Sequence, residues 1–313
     1  MERIYDMAII GGGPGGYTAA LYAARAGLDA VVLERLGPGG QMAQAHQIDN
    51  YPGFEEGIDG YSLAVKMQRE AERFGAKTIL ADVTGAALAA DPKVLDTSQG
   101  ALRARTVVLA TGATPRPLGL AGEAELTGRG VHYCADCDGM FYRDRTVAVV
   151  GGGNTAAQDA ALLSRVARKV ILIHRRDSLR ATRIYHQPLM EAPNVELRWN
   201  SAVEAFETRE GRLTGLTLRD VRTGALSRVE CDGVFVSVGR VPASGLARGQ
   251  LELDEGGYVV SGESTRTSLP GVFAVGDVRT KDLRQVVTAV SDGAAAVHAA
   301  EEYLAEGKGH EKG

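Results

Sequence analysis

Cysteine is scarce, three in 313 residues, which excludes a disulfide scaffold; a chain this long buries enough apolar surface to fold without one. Aromatic residues make up only 5% of the chain, with a single tryptophan, which argues against an aromatic-lined stacking groove. Charge is nearly balanced, 35 Lys and Arg against 39 Asp and Glu for a formal −4. No global basic field is available to hold nucleic acid or an anionic membrane, although a local basic patch stays open. No uninterrupted apolar run reaches the roughly 18 residues of a membrane span. The opening MERIYDMAIIGGG has sparse charge, a short apolar run and interrupting glycines, so it reads as a first strand and not as a signal peptide. These absences point to a soluble cytoplasmic protein. At about 150 residues per domain the length suggests two domains, and the 44% hydrophobic content supplies their cores.

Glycine is the exception, at 40 residues without a collagen period. The excess implies tight turns and close approaches of backbone to ligand. Part of it lies in Gly11, Gly12, Gly13, Pro14, Gly15 and Gly16, between the apolar MAII and the helical-looking YTAALYAARAG, with the strand-like DAVVLE beyond. Strand, glycine turn, helix and strand follow the order of a dinucleotide-binding unit. Gly11 makes the tight turn, Gly13 admits a pyrophosphate, Gly16 lets the helix pack closely, and the helix N-terminus faces the phosphates. Glu34 ends the second strand 23 residues after Gly11, placed to accept hydrogen bonds from a ribose diol. A lone G-x-G-x-x-G is weak and an ordinary glycine turn is the plainer alternative; the strand context and acidic terminus favour an adenine dinucleotide.

The pattern recurs. TVAVV leads into Gly151, Gly152, Gly153, Asn154 and Thr155, then AQDAALLSRVA and KVILIHRR. The position 23 residues after Gly151 is His174, followed by Arg175 and Arg176, with Arg180 soon after. A ribose 2'-hydroxyl wants an acceptor, whereas a 2'-phosphate wants donors and positive charge. The first unit is therefore expected to hold FAD and the second NADPH. The alternative is a solvated charge run, RRDSLR, but solvation alone does not explain its place at a strand end after a glycine motif.

Two further turns suggest the domain plan. The strand TVVLATGATPRPL carries Ala110, Thr111 and Gly112 directly after its apolar run, and CDGVFVSVGRVP ends in Gly239 and Pro242. A second domain is expected as an insertion over residues 116–244, with 1–115 and 245–313 together forming the first, since the last segment is too short for an independent unit. In that segment LPGVFAVGDV reads as a parallel strand ending at Gly276 and Asp277, with Asp277 placed to meet a flavin phosphate or ribitol hydroxyl. A helix is expected from Leu283 to the start of a mobile AEGKGHEKG tail.

His132, Tyr133, Cys134, Ala135, Asp136, Cys137 and Asp138 lie just before the second glycine unit. A C-x-x-C pair can come within disulfide reach, and a thiolate beside a helix N-terminus is favoured, which suits thiol exchange. Half a zinc site is the other option, but Cys231 is the only further cysteine and reads as a small buried hydrophobe; no metal is expected. Asp138 is placed either as an acid–base group for the thiols or as a cap or turn residue. His46, His132, His186, His298 and His310 show no metal spacing and read as packing, surface or hydrogen-bonding residues.

The chain resembles the low-molecular-weight, bacterial-type thioredoxin reductases along essentially its whole length. The stretches that carry the likeness are GGGPGGYTAALYAARAG, GPGGQ, IDNYPGF, ATGATPRPLGLAGE, GVHYCADCDGMFY, GGGNTAAQDAALL, LIHRRDSLRA, PGVFAVGDV and LRQVVTAVSDGAAAV. The resemblance implies an α/β fold of two Rossmann-like domains, with the NADPH domain inserted into a discontinuous FAD domain. It implies that Cys134 attacks the thioredoxin disulfide, that Cys137 lies nearer the flavin, and that Asp138 is the acid–base. It implies FAD contacts at Gly11, Gly13, Pro14, Gly15, Gly16, Glu34, Arg35, Gly40, Gln41, Asn50, Val83, Ala110, Thr111, Gly112, Gly276, Asp277, Arg284, Gln285 and Val286. NADPH contacts are implied at Gly151, Gly153, Asn154, Thr155, His174, Arg175, Arg176 and Arg180. Such enzymes are homodimers in which one domain rotates against the other, here about junctions near 115 and 244.

Three positions depart from the family's familiar pattern: Gln158 and Asp159 stand where two glutamates are common, and Tyr51 where a tryptophan is often seen. Three alternatives remain open to the sequence. One is an NADH-using or low-specificity flavin disulfide reductase serving another redox protein. Another is the flavoprotein of a peroxidase system, which usually carries a long N-terminal redox extension. The third is a redox-responsive flavoprotein without turnover.

Overall fold

The computed structural model describes residues 3–45 and 47–310, with side chains as far as residue 306; His46 lies outside the described residues, as does the side chain of His310. The chain divides into two units, Met1–Thr114 with Val241–Gly313, and Pro115–Arg240.

The first unit opens with β1 (Ile4–Ile10), α1 (Pro14–Arg25) and β2 (Ala30–Glu34). Pro14 occupies the first turn of α1, where its fixed φ suits the helix and its missing N–H costs nothing. Next come α2 (Gly60–Arg73), β3 (Lys77–Leu80), β4 (Val83–Ala87), β5 (Lys93–Thr97) and β6 (Gly100–Leu109). The side chain of Asp59 caps α2 by accepting from the Ser62 N–H at 2.7 Å. The strands form one sheet in the order β3-β2-β1-β6-β5-β4. β1 pairs parallel with β2 and β6, while β4, β5 and the start of β6 run antiparallel. Met7 and Ile9 join the core on one face, with Tyr17 and Ala20 of α1. Ala8 and Ile10 join the core on the other, with Leu95 and Val107. Burial on both faces is why β1 is a continuous apolar run.

In the second unit β7 (Ala113–Pro115), which spans the boundary, is followed by α3 (Glu123–Leu126), β8 (Val131–His132) and α4 (Ala135–Asp138). Then come β9 (Thr146–Val150), α5 (Asn154–Leu163), β10 (Lys169–Ile173), α6 (His186–Glu191) and β11 (Val195–Arg198). An antiparallel meander, β12 (Ser201–Arg209), β13 (Arg212–Asp220) and β14 (Leu226–Glu230), precedes β15 (Gly233–Val236). The main sheet has the order β11-β10-β9-β15-β8 and is parallel throughout.

The chain returns through β16 (Arg240–Pro242), which pairs with β7, to β17 (Val272–Ala274) and α7 (Val286–His310). β17 lies parallel to β6, Val272 opposite Val107. Gly293, in the first half of α7, lies against α1: a Cβ there would stand 2.8 Å from Thr18 Cβ, so glycine permits the close helix packing. Three expectations are corrected in this segment. The strand of LPGVFAVGDV stops at Ala274 and Gly276–Val278 form a 3-10 turn, with Gly276 at φ +70° bending the chain away from the ladder. The helix starts at Val286 and not at Leu283, because Thr288 Oγ1 accepts from the Gln285 N–H at 3.1 Å and donates to Leu283 O at 3.0 Å, closing a turn ahead of it. It also runs on to His310; of the tail expected to be mobile, residues 311–313 lie outside the described residues.

Candidate functional site

The glycine turn of the first unit sits at the C-terminal edge of β1. Gly11 adopts φ +106°, and a Cβ there would lie 2.5 Å from Ala110 O. A Cβ on Gly16 would collide with Gly11 O, whereas one on Gly13 would meet nothing within 4 Å. Two glycines therefore allow close packing and the third leaves open space above the start of α1. Gly15 lies against α7 and β17, its would-be Cβ 3.0 Å from Ala289 O and 3.1 Å from Val275 Cγ2. The same edge carries Ala110, Thr111 and Gly112, with Thr111 Oγ1 donating to Ala243 O at 2.7 Å. Glu34 accepts from the Gly12 N–H at 2.6 Å and the Leu36 N–H at 3.1 Å, so its carboxylate already braces the turn.

Other candidates in this unit gather around the same strand ends. Gly39 N–H donates to Gly12 O at 2.7 Å, which brings Gly40 and Gln41 alongside, and Gln41 Nε2 donates to Ala113 O. Asn50 Nδ2 donates to Gln285 Oε1 at 3.1 Å, tying the Tyr51 loop to the turn before α7. Val286 packs with Met42, Ile48 and Tyr51. Arg284 stacks 4.2 Å over Tyr258, and its buried Nε has no partner among the described residues. Asp277 is half-buried in the turn that follows β17. Two candidates stand apart: Arg35 is exposed beyond β2, and Val83 opens β4, packed on the core.

The second unit repeats the turn with different chemistry at its base. A Cβ on Gly153 would again meet nothing within 4 Å. Asn154 begins α5 and its Oδ1 accepts from the Thr182 N–H at 2.8 Å and Thr182 Oγ1 at 2.9 Å, while Thr155 is exposed. The His174 ring fills the space a Gly152 side chain would need, so it takes the place that Glu34 takes beneath Gly12. Arg180 N–H donates to Gly152 O at 2.7 Å, bringing the third arginine under the turn. Arg175, Arg176 and Arg180 are exposed. Burial, then repulsion from Arg180, Arg176 and Arg175, pulls His174 below its ordinary value. Its Nε2 is buried without a partner among the described residues. The base of this turn is thus a neutral imidazole ringed by three guanidinium groups.

Cys134 and Cys137 form a disulfide with Cα atoms 5.3 Å apart. Cys134 is the N-cap of α4. Asp138 ends that turn, its N–H bonded to Cys134 O at 3.1 Å. As N-cap of the 3-10 turn Gly139–Tyr142 it makes no side-chain cap bond; Oδ2 instead meets His132 Nδ1 at 2.8 Å. Cys231 is buried, and burial pushes its thiol up to about 12, which makes it inert.

A family model described as pyridine nucleotide-disulphide oxidoreductase matches residues 5–293. The chain belongs to this family. Thioredoxin reductase of Streptomyces clavuligerus is 46% identical to this oxidoreductase over 308 residues, 97% of this chain and 95% of the relative. Thioredoxin reductase of Listeria monocytogenes is 45% identical over the same coverage. The crystal structure of thioredoxin reductase from Streptococcus pyogenes superposes with a TM-score of 0.89 at 41% identity, covering 98% of this chain and 100% of that one. The likeness read from the motifs to the low-molecular-weight thioredoxin reductases is therefore established over nearly the full chain. So is the α/β architecture of two Rossmann-like domains.

The structure of this oxidoreductase also shows groups that the motifs did not mark. Asp292, a lone carboxylate in the apolar run AVSDGAAAV, accepts from Arg279 Nη2 at 2.8 Å, Lys281 Nζ at 2.7 Å and the Gly276 N–H at 2.8 Å. Burial opposes its charge, but the Arg279 and Lys281 bonds outweigh it and hold the carboxyl below its ordinary value. It pins the turn that carries Asp277. The signal was there, since an acid inside an otherwise apolar helix face is seldom buried without a partner.

Asp159 of α5 is the opposite case. Burial lifts its carboxyl from 3.8 to about 6; Asp136 adds to the rise, while Ser237, which donates to Oδ2, and Arg240 work against it. The native state then binds this proton more tightly than the unfolded chain, so stability falls as pH rises from about 4 to about 6 and stays lower above that. Asp159→Asn keeps an acceptor for Ser237 and removes the charge. It is expected to be more stable than wild type by about 1–3 kcal/mol at pH 7.5, with the difference shrinking toward zero at pH 4. Urea unfolding midpoints across that range read it; a pH-independent difference contradicts it.

Proposed function

We propose that the chain is a homodimeric, cytoplasmic NADPH-dependent flavoprotein that reduces the disulfide of thioredoxin through Cys134 and Cys137. The observation that carries this reading is the closed Cys134–Cys137 pair in the unit with the second glycine turn, in a chain whose relatives are thioredoxin reductases. The residues present fit the two cofactors. In Met1–Thr114 with Val241–Gly313, the open space at Gly13, the Glu34 carboxylate and the unpartnered Arg284 Nε suit FAD. In Pro115–Arg240, the open space at Gly153 and the three arginines around neutral His174 suit a 2'-phosphorylated nicotinamide dinucleotide.

Bound NADPH and FAD supply the hydride and electron chemistry that returns the disulfide to a dithiol. The chain supplies the exchange. Cys134 thiolate attacks one sulfur of the partner's disulfide, forming a mixed disulfide and releasing a thiolate. Cys137 thiolate then attacks Cys134 Sγ, closing the Cys134–Cys137 bond and freeing the second thiol. Asp138, adjacent to Cys137 and one turn from Cys134, moves the protons between the cysteines and the departing sulfurs.

The test is anaerobic turnover of the purified, FAD-loaded protein with matched NADPH and NADH and its own host's thioredoxin. NADPH-preferred reduction of thioredoxin is expected. Bleaching of the flavin without thioredoxin reduction redirects the protein to another disulfide partner, and failure of NADPH to bleach it overturns the assignment of the second unit.

A further inference from the structure

His132 reads in the sequence as one more packing or hydrogen-bonding histidine, but its surroundings in the second unit are specific. It ends β8, 7% exposed, with its ring stacked on Phe235 of β15 at 5.2 Å between centroids. Both nitrogens are engaged: Nδ1 lies 2.8 Å from Asp138 Oδ2, and Nε2 lies 2.7 Å from the Tyr142 hydroxyl. A carboxylate oxygen only accepts, so Nδ1 carries the proton toward Asp138. Burial, reinforced by the Asp138 charge, pushes the Tyr142 hydroxyl up to about 12. It keeps its proton and donates to Nε2. The result is a directed chain, from Tyr142 O–H to His132 Nε2 and from His132 Nδ1–H to Asp138, ending at the carboxyl beside the cysteine pair. The other titratable or charged groups felt at Tyr142 are Arg145, Asp232 and Cys231.

We propose that His132, held by Tyr142, is a positioning residue that fixes the Asp138 carboxyl in one side-chain orientation for the proton transfers of thiol exchange. The inference rests on the acid–base reading of Asp138. One oxygen, Oδ2, is committed to the imidazole, and that bond holds the carboxyl of the residue next to Cys137 in a single orientation. A hydrogen bond to a charged acceptor is short and directional, which suits it to this task. The device also explains why a histidine is buried here, where an apolar residue would pack equally well against Phe235.

Two substitutions separate positioning from packing. His132→Phe keeps an aromatic ring for the Phe235 stack and removes both hydrogen bonds. His132→Asn places an amide N–H near the position of Nδ1 and keeps the donation to Asp138. The readout is steady-state thioredoxin reduction by the flavin-loaded protein, with kcat and KM separated. In His132→Phe kcat is expected to fall about tenfold with the KM for thioredoxin unchanged, and in His132→Asn to stay within about twofold of wild type. An unchanged kcat in His132→Phe, or an equal loss in His132→Asn, overturns the proposal. Asp138→Asn, assayed in the same way, tests the underlying reading separately. Full activity in that variant removes the acid–base role, whereas an impaired Asp138→Asn beside an unaffected His132→Phe overturns the positioning alone.

Discussion

Cys134→Ser should leave NADPH-dependent bleaching of the flavin intact while cutting thioredoxin reduction at least about 1,000-fold. The asymmetry follows from where the residue acts. The residues proposed to hold FAD and NADPH, the glycine turns, Glu34 and the arginines around His174, lie outside α4, so the first half of the proposed electron route should survive. The second half needs a thiolate that forms and then leaves a mixed disulfide, which a serine hydroxyl cannot do at neutral pH. Buried Cys231, pushed up to about 12, offers no substitute nucleophile. Wild type pre-reduced with dithiothreitol is the control for loss of the cross-link itself. Anaerobic stopped-flow absorbance at the flavin band, run beside thioredoxin turnover, reads both halves. Residual turnover within tenfold of wild type would remove Cys134 from the exchange step.

How far the sequence could be read depended on the range of the interactions involved. The two glycine turns were legible because their demands are local. Gly11 needs a left-handed φ, and Gly16 needs the absence of a Cβ so that α1 can lie on the turn. The C-x-x-C pair was legible for the same reason, since its spacing alone brings two Cα atoms within disulfide reach. The meander β12–β14 left no comparable mark: most of β12 and β14 is half-buried or exposed, so no apolar run announces those strands. Glu34 was read as a ribose acceptor, and nothing in its strand foretold that it also accepts from the Gly12 and Leu36 N–H groups. Asp292 was missed, and His132 was read only as a packing, surface or hydrogen-bonding residue, for a related reason. Each is defined by partners on another element, Arg279 and Lys281 in one case and Asp138 and Tyr142 in the other, and such partners follow from the fold rather than from spacing.

Replacing both Arg175 and Arg176 with alanine should raise the KM for NADPH about 100-fold while changing that for NADH by less than about threefold. The reason lies at His174. Its depressed basicity is caused first by burial and then by Arg180, Arg176 and Arg175, so the guanidinium charges converge on the strand end where the first unit has an acid. A 2'-phosphate placed there gains charge-assisted hydrogen bonds that a 2'-hydroxyl cannot make. Because both arginines are exposed, solvent screens the pair, and the expected loss is smaller than two buried guanidinium–phosphate bonds would give. The same substitution carries an independent signature in the free protein. With two of the three repelling charges gone, His174 should titrate closer to its ordinary value of 6.5, still held below it by burial and Arg180. Proton NMR of the imidazole reads that shift without any coenzyme. A rise in His174 with equal losses for NADPH and NADH would show that the arginines surround the site but do not select the phosphate. A coenzyme-specific loss accompanied by the rise would assign the discrimination to them.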